Sequence, residues 1–149
     1  MKMIWMPVIV AAIAWSMTMW LPQSNTAASQ QVIVASPNDA KWESESHNPN
    51  SSQSATLRED PQTGGIEILV RYPAGFVFPP HWHSANERII LLEGKLSIAR
   101  EGKDVYLEPG GYAFLPAKET QKIACVSQTR CMFYIYWDSK LDFHKVTAN

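Results

Sequence analysis

Two histidines and a glutamate occur together in the segment His81-Trp-His83-Ser-Ala-Asn-Glu87, and these residue types can bind a metal. His81 and His83 are two residues apart, so on a β-strand both imidazoles project from the same face. Glu87 reaches that face if the chain bends at residues 84–86. Two imidazoles and a carboxylate form a ligand set for a divalent transition metal, so the spacing predicts a site for iron, manganese, zinc, nickel or copper.

The elements that must position these side chains are short strands separated by turns. Glycine and proline signals recur every eight to twelve residues from Thr56 onward, a pattern typical of an antiparallel sandwich or barrel. No long amphipathic helix is visible outside the N-terminal segment. The predicted strands cover residues 66–72, 88–93, 95–100, 103–108, 112–116, 121–126 and 132–137. The sequence therefore predicts an all-β fold.

Gly75 and Gly94 complete a longer pattern, Gly-x5-His-x-His-x3-Glu-x6-Gly, which resembles the first motif of the cupin family. The resemblance implies a cupin-type antiparallel jelly-roll β-barrel, assigned here to residues 56–144. It also implies a metal in the barrel, a small-molecule ligand or substrate, and a homodimer. The segments that begin at Leu57 and Tyr136 are similar to cupins of anti-sigma-type regulators and to their uncharacterised secreted relatives.

The second motif of the cupin family is only partly present. Gly110 and Pro116 match it, but Lys118, Gln121 and Cys125 stand where that motif has glycine, histidine and asparagine. Gln121 therefore replaces the family's fourth metal ligand. Its amide oxygen can bind a cation, more weakly than an imidazole does, or it can hydrogen-bond a bound water or substrate. A barrel that binds no metal is the alternative.

Several other residues are candidates for the site. His47 or His144 could supply the missing imidazole, although a histidine far from the motif more often has no ligand role. The barrel is expected to be lined by aromatic side chains, with the alternation of strands turning about half of them elsewhere. These pocket-lining candidates are Tyr112, Phe114, Tyr134 and Tyr136.

Two classes of function fit this resemblance. One is a metal-dependent enzyme of the dioxygenase, isomerase or decarboxylase type, with His81, His83 and Glu87 holding the ion. The other is a non-catalytic module that binds or senses a metal or small molecule. A storage role is disfavoured because storage cupins are usually two-barrel chains. Fold alone does not choose between the first two classes.

The N-terminal residues predict export. Lys2 precedes an apolar run from Ile4 to Leu21, and small residues follow, so residues 1–28 are typical of a signal peptide. An uncleaved membrane anchor is the alternative, because the run approaches spanning length. Residues 29–55 are predicted to be a linker or arm, with a candidate edge strand at Val32–Ala35 and a loop at Glu43–Ala55. Residues 145–149 are predicted to be a tail. A periplasmic or extracellular location follows.

The two cysteines agree with this location. Cys125 and Cys131 flank a short polar loop between two predicted strands, where they could form a disulfide or pack as two small buried residues. The net charge is −1 and the basic residues are scattered, which argues against nucleic-acid binding. A partner barrel could pair with the edge at Val32–Ala35.

Overall fold

The computed structural model describes residues 32–44, 46, 48, 50–100 and 102–146. The predicted signal peptide and His47 lie outside these residues. Within them the chain forms antiparallel strands and no helix, which confirms the predicted all-β class. No helix of the described residues is long and apolar enough to cross a membrane.

Eleven strands form two facing sheets in the described residues. In chain order they are β1 (Glu43–Ser44), β2 (Gln53–Glu59), β3 (Ile66–Tyr72), β4 (Val77–Trp82), β5 (Glu87–Glu93), β6 (Leu96–Arg100), β7 (Lys103–Leu107), β8 (Tyr112–Leu115), β9 (Gln121–Cys125), β10 (Cys131–Trp137) and β11 (His144–Lys145). One sheet has the order β1-β2-β3-β10-β5-β8, and the other has the order β11-β4-β9-β6-β7. This arrangement is the predicted jelly roll.

The core between the sheets follows from period-two alternation. Strand β10 alternates buried and half-buried residues along its length, and its inward side chains are Cys131, Phe133, Ile135 and Trp137. Apolar side chains on facing strands complete the core, and Phe133 and Leu91 are fully buried within it. The alternation therefore decides which residues of each strand can reach the interior.

Two backbone positions with positive φ shape turns of the barrel, one of them after β5 and the other between β8 and β9. Gly94 has φ 87°, and a Cβ atom there would lie 2.7 Å from the Arg130 carbonyl oxygen, so this turn requires glycine. Lys118 has φ 65°, and among the described residues it is the one non-glycine residue with positive φ. Lys118 occupies the cupin glycine position and keeps the backbone conformation that glycine favours, at a cost of about 1 kcal/mol.

The N-terminal part of the described chain differs from the prediction. The loop predicted at Glu43–Ala55 contains β1 and the first residues of β2, which pair with each other and extend the first sheet. Their cross-strand hydrogen bonds outweigh the loop-favouring serine and asparagine composition. Conversely, the candidate edge strand at Val32–Ala35 pairs with no strand in the described residues, and Val32 and Val34 are exposed.

Cys125 and Cys131 are joined by a disulfide, with their Cα atoms 5.7 Å apart. The two residues end β9 and begin β10, so the bond connects one sheet to the other. Both side chains are also buried, because they lie at the edge of the apolar core.

Candidate metal centre

The His81, His83 and Glu87 side chains converge inside the barrel. One ligand atom from each lies within 4.8 Å of the others. All three side chains are buried, with exposed fractions of 2%, 8% and 2%. His81 lies on β4 and His83 just after it, and the chain then bends so that Glu87 begins β5. The bend predicted at residues 84–86 is therefore present and turns the carboxylate towards the imidazoles.

Hydrogen bonds hold this bend in place. The backbone N–H and side-chain amide of Asn86 donate to the Asp138 carboxylate at 3.1 and 2.8 Å. The Asn86 side-chain oxygen accepts from the Ala117 N–H at 3.0 Å. The Lys118 N–H donates to the His83 carbonyl oxygen at 2.7 Å. Asn86 therefore joins the loops that surround the site and fixes the direction in which β5 leaves the bend.

Each histidine is held in one tautomer by a backbone carbonyl. His81 Nδ1 lies 2.8 Å from the Pro79 oxygen, and His83 Nδ1 contacts the Asp142 oxygen. A carbonyl oxygen only accepts, so both Nδ1 atoms must carry the proton. Each Nε2 atom then carries a lone pair and no proton. His81 Nε2 lies 3.4 Å from the Gln121 amide nitrogen, and His83 Nε2 lies 3.6 Å from a Glu87 oxygen. Metal-binding histidines are commonly held in this way.

Burial keeps the imidazoles neutral. It lowers the pKa of His81 to about 4, and the hydrogen bond to Pro79 offsets this only in part. Burial also lowers the pKa of His83, against the opposing effect of its bond to Asp142. Both rings are therefore neutral at neutral pH, with a proton on Nδ1 and none on Nε2, and this is the form that binds a metal.

Burial has the opposite effect on the carboxyl group. It raises the pKa of Glu87 to about 7, although a hydrogen bond from Gln121 and the nearby Trp137 indole act to lower that pKa. A buried carboxylate with no cation beside it is costly. A divalent ion would remove this cost by favouring the ionised form.

Gln121 lies beside the three residues and is itself 2% exposed. Its Nε2 donates to a Glu87 oxygen and lies 3.4 Å from His81 Nε2. Its Oε1 is buried without a hydrogen-bond partner. A half-turn of the amide would exchange the two atoms, so the same side chain could present its oxygen to a cation.

A cavity of about 450 Å³ opens next to the cluster, within the size range of small-molecule sites. His81, His83 and Glu87 form part of its lining. Ser52, Gln53 and Ser54 supply neutral polar groups to the same cavity. The apolar part of the lining includes Phe78, Ile123, Ile135, Trp137, Leu141 and Phe143.

The aromatic pocket-lining prediction is wrong. Tyr112, Phe114, Tyr134 and Tyr136 are absent from the cavity lining, and Tyr112 and Phe114 are more than 40% exposed. On β10 the inward positions are the odd-numbered ones, so Tyr134 and Tyr136 face away from the core. The sequence shows the alternation but not which of the two faces is buried.

His144 does not join the cluster. Its ring stacks on Trp82 with a centroid distance of 3.7 Å, and its Nε2 lies 3.0 Å from the Asp142 carboxylate. Its side chain is 41% exposed. His144 thus holds the C-terminal segment against β4 instead of providing an imidazole to the site.

Sequence reasoning missed Trp137, Asp142 and Phe143 as residues of the site. Trp137 and Phe143 line the cavity, and the Phe143 ring lies 5.3 Å from the His81 ring. Asp142 holds His83 through its backbone oxygen and accepts from the Ser84 N–H at 2.7 Å through its carboxylate. All three residues lie in the C-terminal segment that resembles anti-sigma-type cupins. That resemblance was the available signal that the segment contributes to the site.

The donor set fits a divalent transition metal. Two neutral imidazoles offer lone pairs, the Glu87 carboxyl group is buried, and the Gln121 oxygen has no hydrogen-bond partner among the described residues. His81, His83 and Glu87 would hold the ion, and Gln121 could complete the set.

The fold and the arrangement of the site are those of a cupin, and the sequence comparison identifies the family within the cupins. The ChrR cupin-like domain family matches residues 29–139, and the chain belongs to that family. This agrees with the resemblance to anti-sigma-type cupins.

Individual relatives are more distant. The DNA damage-repair/toleration protein DRT102 of Arabidopsis thaliana is 31% identical over 88 residues, which are 58% of this chain and 26% of that protein. The chain thus spans about a quarter of the length of this relative.

Solved structures support the fold. The polyketide cyclase RemF from Streptomyces resistomycificus has a TM-score of 0.65 at 18% identity, over 80% of this chain and 88% of that chain. The cupin domain of Schizosaccharomyces pombe Cnp3 has a TM-score of 0.64 at 14% identity, over 73% and 75%. A sugar phosphate isomerase of the cupin superfamily from Silicibacter pomeroyi has a TM-score of 0.56 at 17% identity, over 68% and 72%. Similarity at these identities establishes the fold alone.

Proposed function

We propose that this protein is an exported cupin that binds one divalent transition metal through His81, His83 and Glu87 and acts on a small molecule in the adjoining cavity. The observation that carries the proposal is the convergence of three buried ligand atoms at the wall of a cavity of about 450 Å³. The proposed reaction class is dioxygenation or isomerisation. Two histidines and one carboxylate with open positions suit the first of these.

The metal would supply Lewis acidity or oxygen chemistry next to the substrate. The protein's own groups would orient the metal-binding side chains and exclude water. Pro79 and Asp142 hold the imidazoles in the metal-binding tautomer, and apolar side chains exclude water from the cavity. Gln121 donates to Glu87 and thereby orients the carboxylate. Glu87 is the one carboxylic acid among the described residues of the cavity lining, and it could also move a proton.

A non-catalytic metal- or ligand-binding cupin is the second candidate. The observation that favours it is the scarcity of acid–base groups. Among the described residues that line the cavity, the polar side chains other than His81, His83 and Glu87 are serine, glutamine, tyrosine and tryptophan. A sensor needs reversible binding and no proton transfer. Glutamine in place of the fourth imidazole would weaken the site and suit such reversibility.

The location and assembly are part of the same proposal. The basic start, apolar run and small residues at positions 1–28 support export, and a disulfide between Cys125 and Cys131 suits an oxidising compartment. A homodimer is proposed from the family resemblance. The exposed Val32 and Val34 are candidate contacts for a second copy. Cell fractionation and light scattering test these two points.

The metal is tested by mass spectrometry on protein purified after expression of the whole chain. We expect near-stoichiometric iron, manganese, copper, nickel or zinc, lost in the His81→Ala/His83→Ala double variant. His144→Ala removes an imidazole outside the cluster and should keep its metal. A wild-type protein that stays metal-free after reconstitution would refute the metal site. The metal-loaded protein is then assayed for oxygen consumption with candidate substrates.

A further inference from the structure

The cavity next to the three metal-binding side chains carries almost no charge. Of the described residues that line it, none is lysine or arginine, and Glu87 is the one carboxylic acid. A phosphate or carboxylate group bound among these walls, away from the metal-binding side chains, would lose its hydration without meeting a lysine or arginine side chain, which is strongly unfavourable.

The walls of the cavity favour a flat apolar molecule. Phe78, Trp137 and Phe143 contribute aromatic surface, and Ile123, Ile135 and Leu141 contribute aliphatic surface. The Phe143 ring lies 5.6 Å from the Phe78 ring at an interplanar angle of 81°. Such edge-to-face arrangements offer ring surfaces on which another ring can pack.

One buried donor in this cavity has no well-aligned hydrogen-bond partner among the described residues. Trp137 is 4% exposed and lines the cavity, yet its indole Nε1 makes no hydrogen bond of normal geometry. The nearest acceptor is the Glu87 carboxyl group, to which the indole makes only a poorly aligned hydrogen bond. A buried N–H without a partner costs free energy comparable to a lost hydrogen bond, so its presence calls for an acceptor.

We propose that the cavity binds an uncharged, largely apolar ring compound that places an oxygen atom where it accepts a hydrogen bond from the indole N–H of Trp137. Trp137 is then a ligand-binding residue of the site. The metal-binding residues, the donor and the apolar walls together specify the ligand: its oxygen-bearing end lies beside Glu87, and its ring packs among the aromatic side chains. This inference rests on the proposed small-molecule function and gives that function a substrate class.

A matched set of probes tests the proposal in metal-free protein, where a bound metal contributes nothing. 1-Tetralone and tetralin share a bicyclic skeleton and differ in one carbonyl oxygen. Phenyl phosphate is an aromatic compound that carries charge. We expect 1-tetralone to bind about tenfold more tightly than tetralin, and phenyl phosphate not to bind at millimolar concentration. Isothermal titration calorimetry measures all three.

The Trp137→Phe variant removes the donor and keeps an aromatic ring. We expect it to bind 1-tetralone as weakly as wild-type protein binds tetralin, while its affinity for tetralin stays within about twofold. Trp42→Phe is the control, because the Trp42 indole already donates to the Pro37 carbonyl and is absent from the cavity lining. Trp42→Phe should leave both affinities unchanged.

An NMR experiment on wild-type protein keeps the test valid if Trp137→Phe does not fold. The Trp137 indole proton should shift downfield with 1-tetralone and not with tetralin. Equal affinity for 1-tetralone and tetralin, binding of neither probe, or tighter binding of phenyl phosphate would each overturn the proposal. Metal content is measured separately, on protein that has been reconstituted with metal and not treated with a chelator. If that protein binds no metal while the metal-free protein discriminates the probes, the proposed metal site alone is refuted.

Discussion

Glutamine at position 87 should change how the stability of the metal-free protein depends on pH. Burial raises the pKa of Glu87 from an ordinary 4.5 to about 7 in the folded protein. The raised pKa means that the protonated carboxyl group favours folding below about pH 4.5, and that this contribution is lost as the pH rises towards 7. Above pH 7 the wild-type fold carries a buried carboxylate, and Glu87→Gln does not.

The size of the effect follows from this rise in pKa. A change from 4.5 to about 7 corresponds to about 3 kcal/mol of unfolding free energy. In the presence of a chelator, Glu87→Gln should therefore exceed wild type in stability by about 3 kcal/mol at pH 8. Near pH 4.5 the two proteins should be equally stable, because a glutamine resembles a protonated glutamate in shape and charge.

Urea unfolding at a series of pH values from 4.5 to 8.5 measures the difference. His81 has its pKa lowered to about 4, so both proteins lose stability as the pH falls below about 6.5, and the comparison between them isolates Glu87. Glu59→Gln changes an exposed carboxylate and serves as the control. A stability difference of the same size at pH 5 and pH 8, or a Glu87→Gln protein less stable than wild type at pH 8, would refute the reasoning.

Three further predictions concern other residues. Gln121→His adds an imidazole beside His81 and should raise metal affinity at least tenfold, whereas Gln121→Ala should lower it; equal affinities by competition titration would remove Gln121 from the site. Lys118→Gly relieves a positive φ of 65° and should stabilise the fold by up to about 1 kcal/mol, partly offset by the entropy of glycine, while Lys118→Ala should give no gain in urea unfolding. Cys125 and Cys131 should show no free thiol in denatured exported protein, and reduction should cost about 2 kcal/mol of stability; two free thiols before reduction would contradict the disulfide.

Much of the fold was predictable because it depends on local pattern. The predicted strand at residues 66–72 coincides with β3, and the predicted strand at 132–137 is β10 without its first residue. The start of the first sheet was not predictable. Residues 53–55 look like loop by composition, and they form a strand because β3 offers a partner for their backbone hydrogen bonds.

The sequence by itself determined the candidate metal-binding cluster. His81, His83 and Glu87 are close in the chain, so one strand and one bend bring them together, and the cupin spacing records that geometry. The second motif places Gln121 at the position of the family's fourth ligand. The structure agrees, because β9 pairs with β4 with Gln121 opposite His81.

Only the tertiary structure decided what surrounds the cluster. The tautomers of the histidines depend on carbonyl oxygens, one of them 59 residues away at Asp142. The cavity lining depends on which face of β10 is buried, so Trp137 lies inside and Tyr136 outside. These features are set by contacts between distant segments. Alternation along a strand gives two faces, and the packing of one sheet on the other determines which of them becomes the wall of the cavity.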